Sequence, residues 1–175
     1  QNSIGKSKVE SGKQFLQSIN PTLTINAIAE KATENLLKEL LPAVNLVLDC
    51  TDNFATRQLI NAACFNQKVP LVSGSALKFD GQLSVFDFRS ATSPCYACLF
   101  SPEEQFEEVS CASMGIFSPL VVIIGAMQAA QALQVLIGFG QPLVGRMLLW
   151  NALNTQIDEI RISRNPACKV CGSQH

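Results

Sequence analysis

The sequence predicts an α/β fold, with a mixed sheet that is parallel at first and antiparallel later and helices on its faces. Two observations support this. The first half of the chain alternates helical segments with short apolar, strand-like segments, as βαβ units do. The second half contains paired strand-like segments that are typical of hairpins. Because 47% of the residues are hydrophobic and 15% are charged, the chain can fill a core, and we expect a single domain over residues 1–175.

The segments of the first half are bounded by local start and stop signals. Proline ends the first helix, and Asp52 precedes the third. In chain order we expect a helix ending at Asn20-Pro21, an extended segment Leu23 to Ile28, a helix Glu34 to Leu41, a strand Val44 to Leu48, a helix that begins after Asp52 and runs to Gln67, and a strand Val69 to Ser73.

Two hairpins are expected in the second half. Asp80-Gly81 is a turn dipeptide between the apolar segments Ala76 to Phe79 and Gln82 to Phe86. A later pair of strand-like segments, Arg146 to Trp150 and Gln156 to Ile162, predicts a second hairpin. These pairings make the later part of the sheet antiparallel.

The segment Gly115 to Phe139 is apolar and nearly long enough to cross a bilayer. Ser118-Pro119 provides a helix start, Gly138 provides a stop, and one face carries a polar residue at every third position: Gln128, Gln131 and Gln134. We therefore expect a buried helix with one more polar and better solvated face, in the core or at a dimer interface. A membrane span is the less favoured alternative.

Two cysteine pairs have the spacing that lets neighbouring thiolates bind one tetrahedral metal ion. They are Cys95-Tyr-Ala-Cys98 and Cys168-Lys-Val-Cys171. Seventy positions separate Cys98 from Cys168, so the metal would attach the tail of the chain to its middle. Two disulfides or two unrelated cysteine pairs are the alternatives, but C-x-x-C disulfides are mostly redox devices. The pattern predicts one structural Zn²⁺ site.

Charge and cysteine content restrict the partners and the compartment. The net charge of −1 gives no polyelectrolyte character, so nucleic acid is not an expected partner. Seven cysteines form an odd number for an oxidising compartment, and the N-terminal residues do not have the pattern of a secretory signal. We expect a cytoplasmic protein with no membrane partner.

The loop after the predicted strand Val44 to Leu48 is a candidate ligand site. Ligands of parallel sheets bind beyond the carboxyl ends of the strands, where this strand is followed by Asp49-Cys50-Thr51-Asp52-Asn53. Asp52 could hold Mg²⁺ on nucleotide phosphates, or it could simply cap the next helix. The local sequence does not decide between the two.

Several motifs in fixed order give the chain a resemblance to a known family. They are Lys8-Val9-Glu10-Ser11, Leu48 to Asn53, Pro70 to Gly74, the Cys95 pair, Cys111, Pro119 through Ala129, and Asn165 to Gly172. Together they resemble the MoeB/ThiF/HesA family, which is related to the ubiquitin-activating enzymes. The resemblance covers essentially the whole chain. It implies a Rossmann-like sheet and a homodimer.

The resemblance also implies an activity. Members of the family use MgATP to adenylate the C-terminal glycine of a ubiquitin-fold sulfur-carrier protein and release pyrophosphate. Lys8 matches the lysine that contacts the ATP phosphates, although by itself it looks like an ordinary solvated lysine. Asp52 matches the aspartate of Mg²⁺ and ATP, and Asn53 lies beside it at the nucleotide. The motifs are shared by the molybdenum-cofactor and thiamin pathways, so they do not identify the carrier.

The remaining cysteines and the single histidine have different expected roles. Cys111 matches the cysteine that some relatives use covalently, but Ala112 and Ser113 follow it where the family often has a charged residue. Cys50 and Cys64 are interpreted as packed thiols. The only histidine, His175, is terminal, which argues against a Cys-His pair.

One family feature does not occur in this sequence. The Gly-rich phosphate turn with its preceding strand is missing, so we expect the chain to be the C-terminal portion of an adenylation domain and inactive alone. The alternative is a zinc-stapled, non-catalytic module. Such a module would bind a ubiquitin-fold partner through the Leu77 to Phe88 hairpin region and the acidic segment Phe100 to Val109, or form a homodimer through Ser118 to Ile137.

Overall fold

A computed structural model describes residues 4–103 and 115–172 of this chain. The chain divides into two compact units, residues 1–32 and 33–175. The first unit contains helix α1 (Lys8–Ile19), whose final turn closes where the Asn20 N–H donates to the Leu16 carbonyl at 3.0 Å, just before Pro21. The predicted extended segment Leu23 to Ile28 forms no strand within the described residues, because no other segment pairs with it.

Within residues 33–103 and 115–172, the second unit contains the sheet and four further helices. In chain order its elements are α2 (Glu34–Leu40), a 3₁₀ turn (Leu41–Ala43), β1 (Val47–Asp49), α3 (Phe54–Gln67), β2 (Leu71–Leu77), β3 (Asp80–Phe86), α4 (Tyr96–Leu99), α5 (Ser118–Ile137), β4 (Arg146–Asn151) and β5 (Gln156–Arg161).

The five strands form one sheet in the order β1-β2-β3-β4-β5. β1 is parallel to β2, because helix α3 carries the chain back to the starting edge before β2 begins. Every later pair is antiparallel and is joined by a hairpin or a longer return. The predicted fold class is therefore confirmed.

The two faces of the sheet bury different layers. Strand residues alternate between faces, so Leu71 and its partner Phe86 point to one side, and Val72 and its partner Val85 point to the other. The first face packs against α3, α4 and the cysteines. The second face packs against the side of α5 that carries Ala132. The four-cysteine cluster lies on the first face, and the loop that carries Asp52 and Asn53 follows the carboxyl end of β1.

The first hairpin forms, but its turn is not the predicted Asp80-Gly81. Leu77 pairs with Asp80, so Lys78 and Phe79 make the turn, and Lys78 takes the positive φ of 51°. Gly81 instead lies inside β3, where an added Cβ would come 2.7 Å from Cδ1 of Ile124. The glycine therefore serves the close approach of α5 to the sheet.

β1 is shorter than the predicted strand Val44 to Leu48. Pairing begins only at Val47, whose N–H donates to the Pro70 carbonyl at 2.9 Å. Val44 instead follows the 3₁₀ turn and is exposed. β2 runs four residues beyond the predicted end at Ser73, because β3 pairs with it along its whole length.

The prediction of a buried helix with a more solvated glutamine stripe is wrong for helix α5. Gln128 is only 4% exposed and faces the sheet, whereas many apolar residues on the opposite side are exposed. The helix begins at Ser118 and ends at Gly138, which adopts the left-handed conformation. Among the described residues it is one helix long and apolar enough to cross a membrane, with 28% of its apolar window buried. We describe it as a sheet-packing helix because Gln128 donates to the backbone of two strands.

Candidate functional site

The four predicted metal ligands come together into one cluster. The sulfur atoms of Cys95, Cys98, Cys168 and Cys171 all lie within 4.8 Å of one another. Cys95 Sγ lies 3.6 Å from Cys168 Sγ, and Cys98 Sγ lies 3.3 Å from Cys171 Sγ. Tetrahedral zinc with bonds of about 2.3 Å requires sulfur separations of about 3.8 Å, whereas a disulfide requires about 2 Å. The donor set therefore fits a metal ion, and the cysteines are unbridged.

Each cysteine pair is shaped by a tight backbone turn. Cys95 precedes α4, and its N–H points at Cys98 Sγ from 3.5 Å. In the second pair the Gly172 N–H donates to the Cys168 carbonyl at 2.8 Å, and a Cβ on Gly172 would lie 2.4 Å from that oxygen. The Asn165 N–H points at Cys98 Sγ from 3.4 Å and so links the two turns.

The surroundings of the cluster disfavour free thiolates at two of its positions. Burial raises the pKa of the Cys95 thiol well above its ordinary value, and burial raises that of Cys171 to about 12. For Cys168 burial acts in the same direction, but backbone N–H groups of Cys171 and Val170 outweigh it and lower its pKa. A bound divalent cation would offset the cost of ionising these buried thiols.

The second candidate site is the loop between β1 and α3. Asp49, at the end of β1, is 2% exposed, and its Oδ1 accepts hydrogen bonds from the N–H and hydroxyl of Thr51 at 2.9 and 2.7 Å. Asn53 is the N-cap of α3, since its Oδ1 accepts from the Thr56 N–H at 2.9 Å. The loop is thus fixed at both ends by side-chain to backbone hydrogen bonds.

The cap of α3 bears on one of the two interpretations of Asp52. Asn53 takes the capping role that Asp52 could have had, so that interpretation of Asp52 is wrong. Asp52 is exposed, and within the described residues of the second unit no hydrogen bond or ion pair involves it. Asp52 directly precedes the N-cap of α3, and the N-terminus of a helix favours negative charge and anions.

Gln128 is a site residue that sequence reasoning did not assign. Its Nε2 donates to the Asp49 carbonyl at 2.9 Å and lies 3.4 Å from the Val72 carbonyl, so α5 joins the end of β1 to the start of β2. Its Oε1 lies 3.5 Å from Cys50 Sγ. Gly74 makes room for it, because a Cβ there would lie 2.3 Å from Gln128 Cδ. The regular glutamine spacing on α5 was the available signal.

Arg57 was also missed. It lies in the first turns of α3, four residues after Asn53, and its guanidinium turns back to donate to the Thr51 carbonyl and, at 3.5 Å, to the Gly74 carbonyl. The only signal in the sequence was its place early in the predicted helix, because side chains on a helix lean toward its N-terminus.

The other predicted site residues have different outcomes. Lys8 is exposed on α1 of the first unit, and its role at the phosphates stays a prediction. Cys111 and most of the segment Phe100 to Val109 lie outside the described residues, as does His175. Cys64 is fully buried, as expected of a packed thiol, whereas Cys50 is exposed in the loop.

Fold and site together define a class of protein. It is an α/β protein with a ligand-type loop at the carboxyl end of its parallel strands and a four-cysteine cluster that can hold a metal ion. Comparison with known proteins then identifies the family. Residues 1–170 match the ThiF family, and the chain belongs to this family.

Curated relatives carry consistent names. The chain is 39% identical over 171 residues to the molybdopterin-synthase adenylyltransferase of Salmonella typhimurium, covering 97% of this chain and 67% of the relative. It is 38% identical to the sulfur carrier protein adenylyltransferase of Thermus thermophilus, covering 98% of this chain and 65% of the relative. The predicted resemblance and the enzyme class, an adenylyltransferase, are thereby confirmed.

A solved structure has the same fold. The crystal structure of Escherichia coli MccB superposes with a TM-score of 0.79 at 18% identity, covering 98% of this chain and 51% of MccB. At that identity the likeness shows the fold alone. The chain thus spans about half to two thirds of the length of the proteins it matches here.

Proposed function

We propose that this chain is the part of an adenylating enzyme that activates the C-terminal carboxylate of a ubiquitin-fold sulfur carrier with ATP. The observation that carries the proposal is the position of Asp52, which is exposed at the carboxyl end of β1 and is not used as a helix cap. A carboxylate in this position can hold Mg²⁺ on the phosphates of a nucleotide. The names of the relatives supply the substrate class.

The proposed reaction is a nucleotidyl transfer. A carboxylate oxygen of the carrier attacks the α-phosphorus of ATP, and the bond from that phosphorus to the bridging oxygen of the β-phosphate breaks. The products are an acyl-adenylate and pyrophosphate. Asp52 would hold Mg²⁺, Asn53 would lie at the nucleotide, and Lys8 would offset charge on the leaving pyrophosphate. Cys111 is proposed to act covalently in the later transfer to the carrier.

The finer features of the substrate are also proposals. The relatives named above favour a carrier of the molybdopterin-synthase or general sulfur-carrier type, while a thiamin-pathway carrier is the other candidate. We propose zinc as the metal of the four-cysteine cluster, because four thiolates at tetrahedral separations suit it. We also propose that the protein is cytoplasmic, because its described cysteines are unbridged, as is usual in that compartment.

ATP–pyrophosphate exchange tests the proposed function. We expect Mg²⁺-dependent exchange by the full-length gene product with a ubiquitin-fold carrier, and little exchange by residues 1–175 alone, because this sequence has no Gly-rich turn to bind the phosphates. Exchange by residues 1–175 at the full rate would contradict the expected inactivity. Absence of exchange from both proteins, with every carrier offered, would contradict the function and favour a zinc-stapled binding module.

We also propose a homodimer through α5. Its sheet-distal side exposes apolar residues that a soluble helix normally covers, and they continue into the following turn: Val121, Val122, Leu133, Leu136, Ile137 and Phe139. We expect the protein to sediment as a dimer and Val122→Glu to shift it toward monomer. Leu153→Glu is the matched control, because Leu153 is 70% exposed, like Val122 at 71%, but lies after β4. A wild-type protein that is monomeric at micromolar concentration would contradict this proposal.

A further inference from the structure

Arg57 connects the loop after β1, next to Asp52, with the middle of β2. Its Nη2 donates to the Thr51 carbonyl in the loop after β1 and reaches the Gly74 carbonyl of β2 at 3.5 Å. Thr51 is the residue directly before Asp52. Because the guanidinium holds the Thr51 carbonyl, it restrains the backbone that carries the carboxylate.

Tyr96 lies between the first two metal-ligand cysteines and is anchored to α3. It is 7% exposed, and its backbone N–H donates to Oδ1 of the fully buried Asn61 at 2.9 Å. Its ring lies 4.8 Å from the Phe100 ring and 6.3 Å from that of Phe54, the first residue of α3. The first cysteine pair is thereby packed onto the same end of α3 that carries the Asp52 loop.

Arg57 and Tyr96 both line a small cavity on the first face of the sheet. The cavity measures about 10 Å³, room for about one water molecule, and serines of β2 and β3 also line it. The guanidinium is therefore held on one side by backbone carbonyls and bounded on another by the tyrosine.

We propose that Arg57 is a positioning residue that fixes the loop carrying Asp52, and that Tyr96 holds Arg57 in place. Through these two residues, the fixed conformation of the first cysteine pair also restrains the loop that carries Asp52. This inference rests on the proposed function for its effect on catalysis, but the ordering of the loop can be measured independently.

The chemistry of this link requires a guanidinium. Its planar set of N–H donors can serve two carbonyls at once, whereas a lysine ammonium has a more flexible stem and no fork. Arg57→Lys should therefore restore only part of what Arg57→Ala removes. Tyr96→Leu keeps an apolar side chain against Phe54 and Phe100 but leaves Arg57 without its aromatic neighbour.

The first test measures loop order without any substrate. In the full-length product, hydrogen exchange is followed for the Thr51 and Thr56 amides, which donate to Asp49 and Asn53 side chains. We expect exchange at least about tenfold faster in Arg57→Ala and Tyr96→Leu, with Arg57→Lys between them and wild type. Unchanged exchange in Arg57→Ala would overturn the proposal.

Two matched variants separate positioning from general destabilisation. Arg146→Ala removes an arginine that pairs with Glu159 and caps carbonyls away from the loop. Phe88→Leu removes a buried ring that packs against Phe65 and Phe86 in the same core cluster as Tyr96. Neither should accelerate exchange at Thr51 and Thr56. Equal acceleration in Phe88→Leu and Tyr96→Leu would show that only core stability matters and would overturn the proposal.

The second test uses ATP–pyrophosphate exchange. A displaced loop should lower kcat by about thirtyfold in Arg57→Ala while KM for ATP changes by less than about threefold, since misplacement of a catalytic group acts mainly on the chemical step. If the wild-type protein shows no exchange with any carrier, the proposed function fails, and the amide measurement alone decides the positioning role. Unaltered kcat in an active protein with a loosened loop would overturn the catalytic part.

Discussion

Replacing Asp52 by asparagine is expected to lower ATP–pyrophosphate exchange by the full-length product by about a hundredfold. The substitution keeps the size and the hydrogen-bonding oxygen of the side chain but removes the charge that would hold Mg²⁺ on the phosphates. Because Asp52 is exposed and no described residue of the second unit pairs with it, the free energy of unfolding should change by less than about 0.5 kcal/mol. Exchange kinetics and denaturant unfolding, measured on the same preparations, check both expectations.

The neighbouring residue provides the structural contrast. Asn53 caps α3, so Asn53→Ala should cost about 1 kcal/mol of stability. Asp158→Asn serves as the charge control, since Asp158 lies exposed on β5, where the Gln156 side chain donates to it at 2.8 Å. Full exchange activity in Asp52→Asn would contradict the assigned role. A loss of stability as large as that of Asn53→Ala would show that Asp52 supports the loop instead.

The sequence was sufficient where the signal is local. The four cysteines of the cluster could be named from the C-x-x-C spacing alone, because two thiolates three positions apart can bind one ion whatever the rest of the fold does. Helix α3 and the hairpin of β4 and β5 were also found, since their boundaries coincide with turn and capping residues. Fold class followed from the order of these segments.

The sequence was insufficient where distant segments decide the outcome. Asp80-Gly81 looks like a turn, but the approach of Ile124 on α5 keeps Gly81 in β3. Gln128 looks like a polar stripe, yet Gly74 lets it enter the sheet and bind strand carbonyls. The N-cap of α3 is Asn53 rather than Asp52, a difference of one position that local sequence does not resolve.

Arg57 fails to stand out in sequence for a related reason. A single arginine in a helix is usually a solvated surface residue, and only the return of the Thr51 carbonyl toward the first turn of α3 gives it a partner. The contact requires the loop, the helix and β2 to be placed together. No periodicity in the sequence encodes that placement.

Removal of the metal from the four-cysteine cluster is expected to lower the melting temperature by about 10 °C. An ion present at about a thousand times its dissociation constant stabilises the folded state by about 4 kcal/mol, and in a domain of this size each kcal/mol corresponds to about 2–4 °C. The loss should appear on treatment with a strong chelator and equally in Cys168→Ser. Zinc content by mass spectrometry should fall from about one ion per chain to near zero.

Cys50→Ser is the control for this prediction, because Cys50 is outside the cluster and exposed, so zinc content and melting temperature should stay at the wild-type values. The chain around the second pair should become sensitive to protease once metal is lost, since Cys168 and Cys171 join it to the Cys95 pair 73 positions earlier. Retained zinc in Cys168→Ser, or an unchanged melting temperature after complete metal removal, would show that packing of the thiols against the aromatic core is sufficient to hold the tail. The metal would then have no structural role.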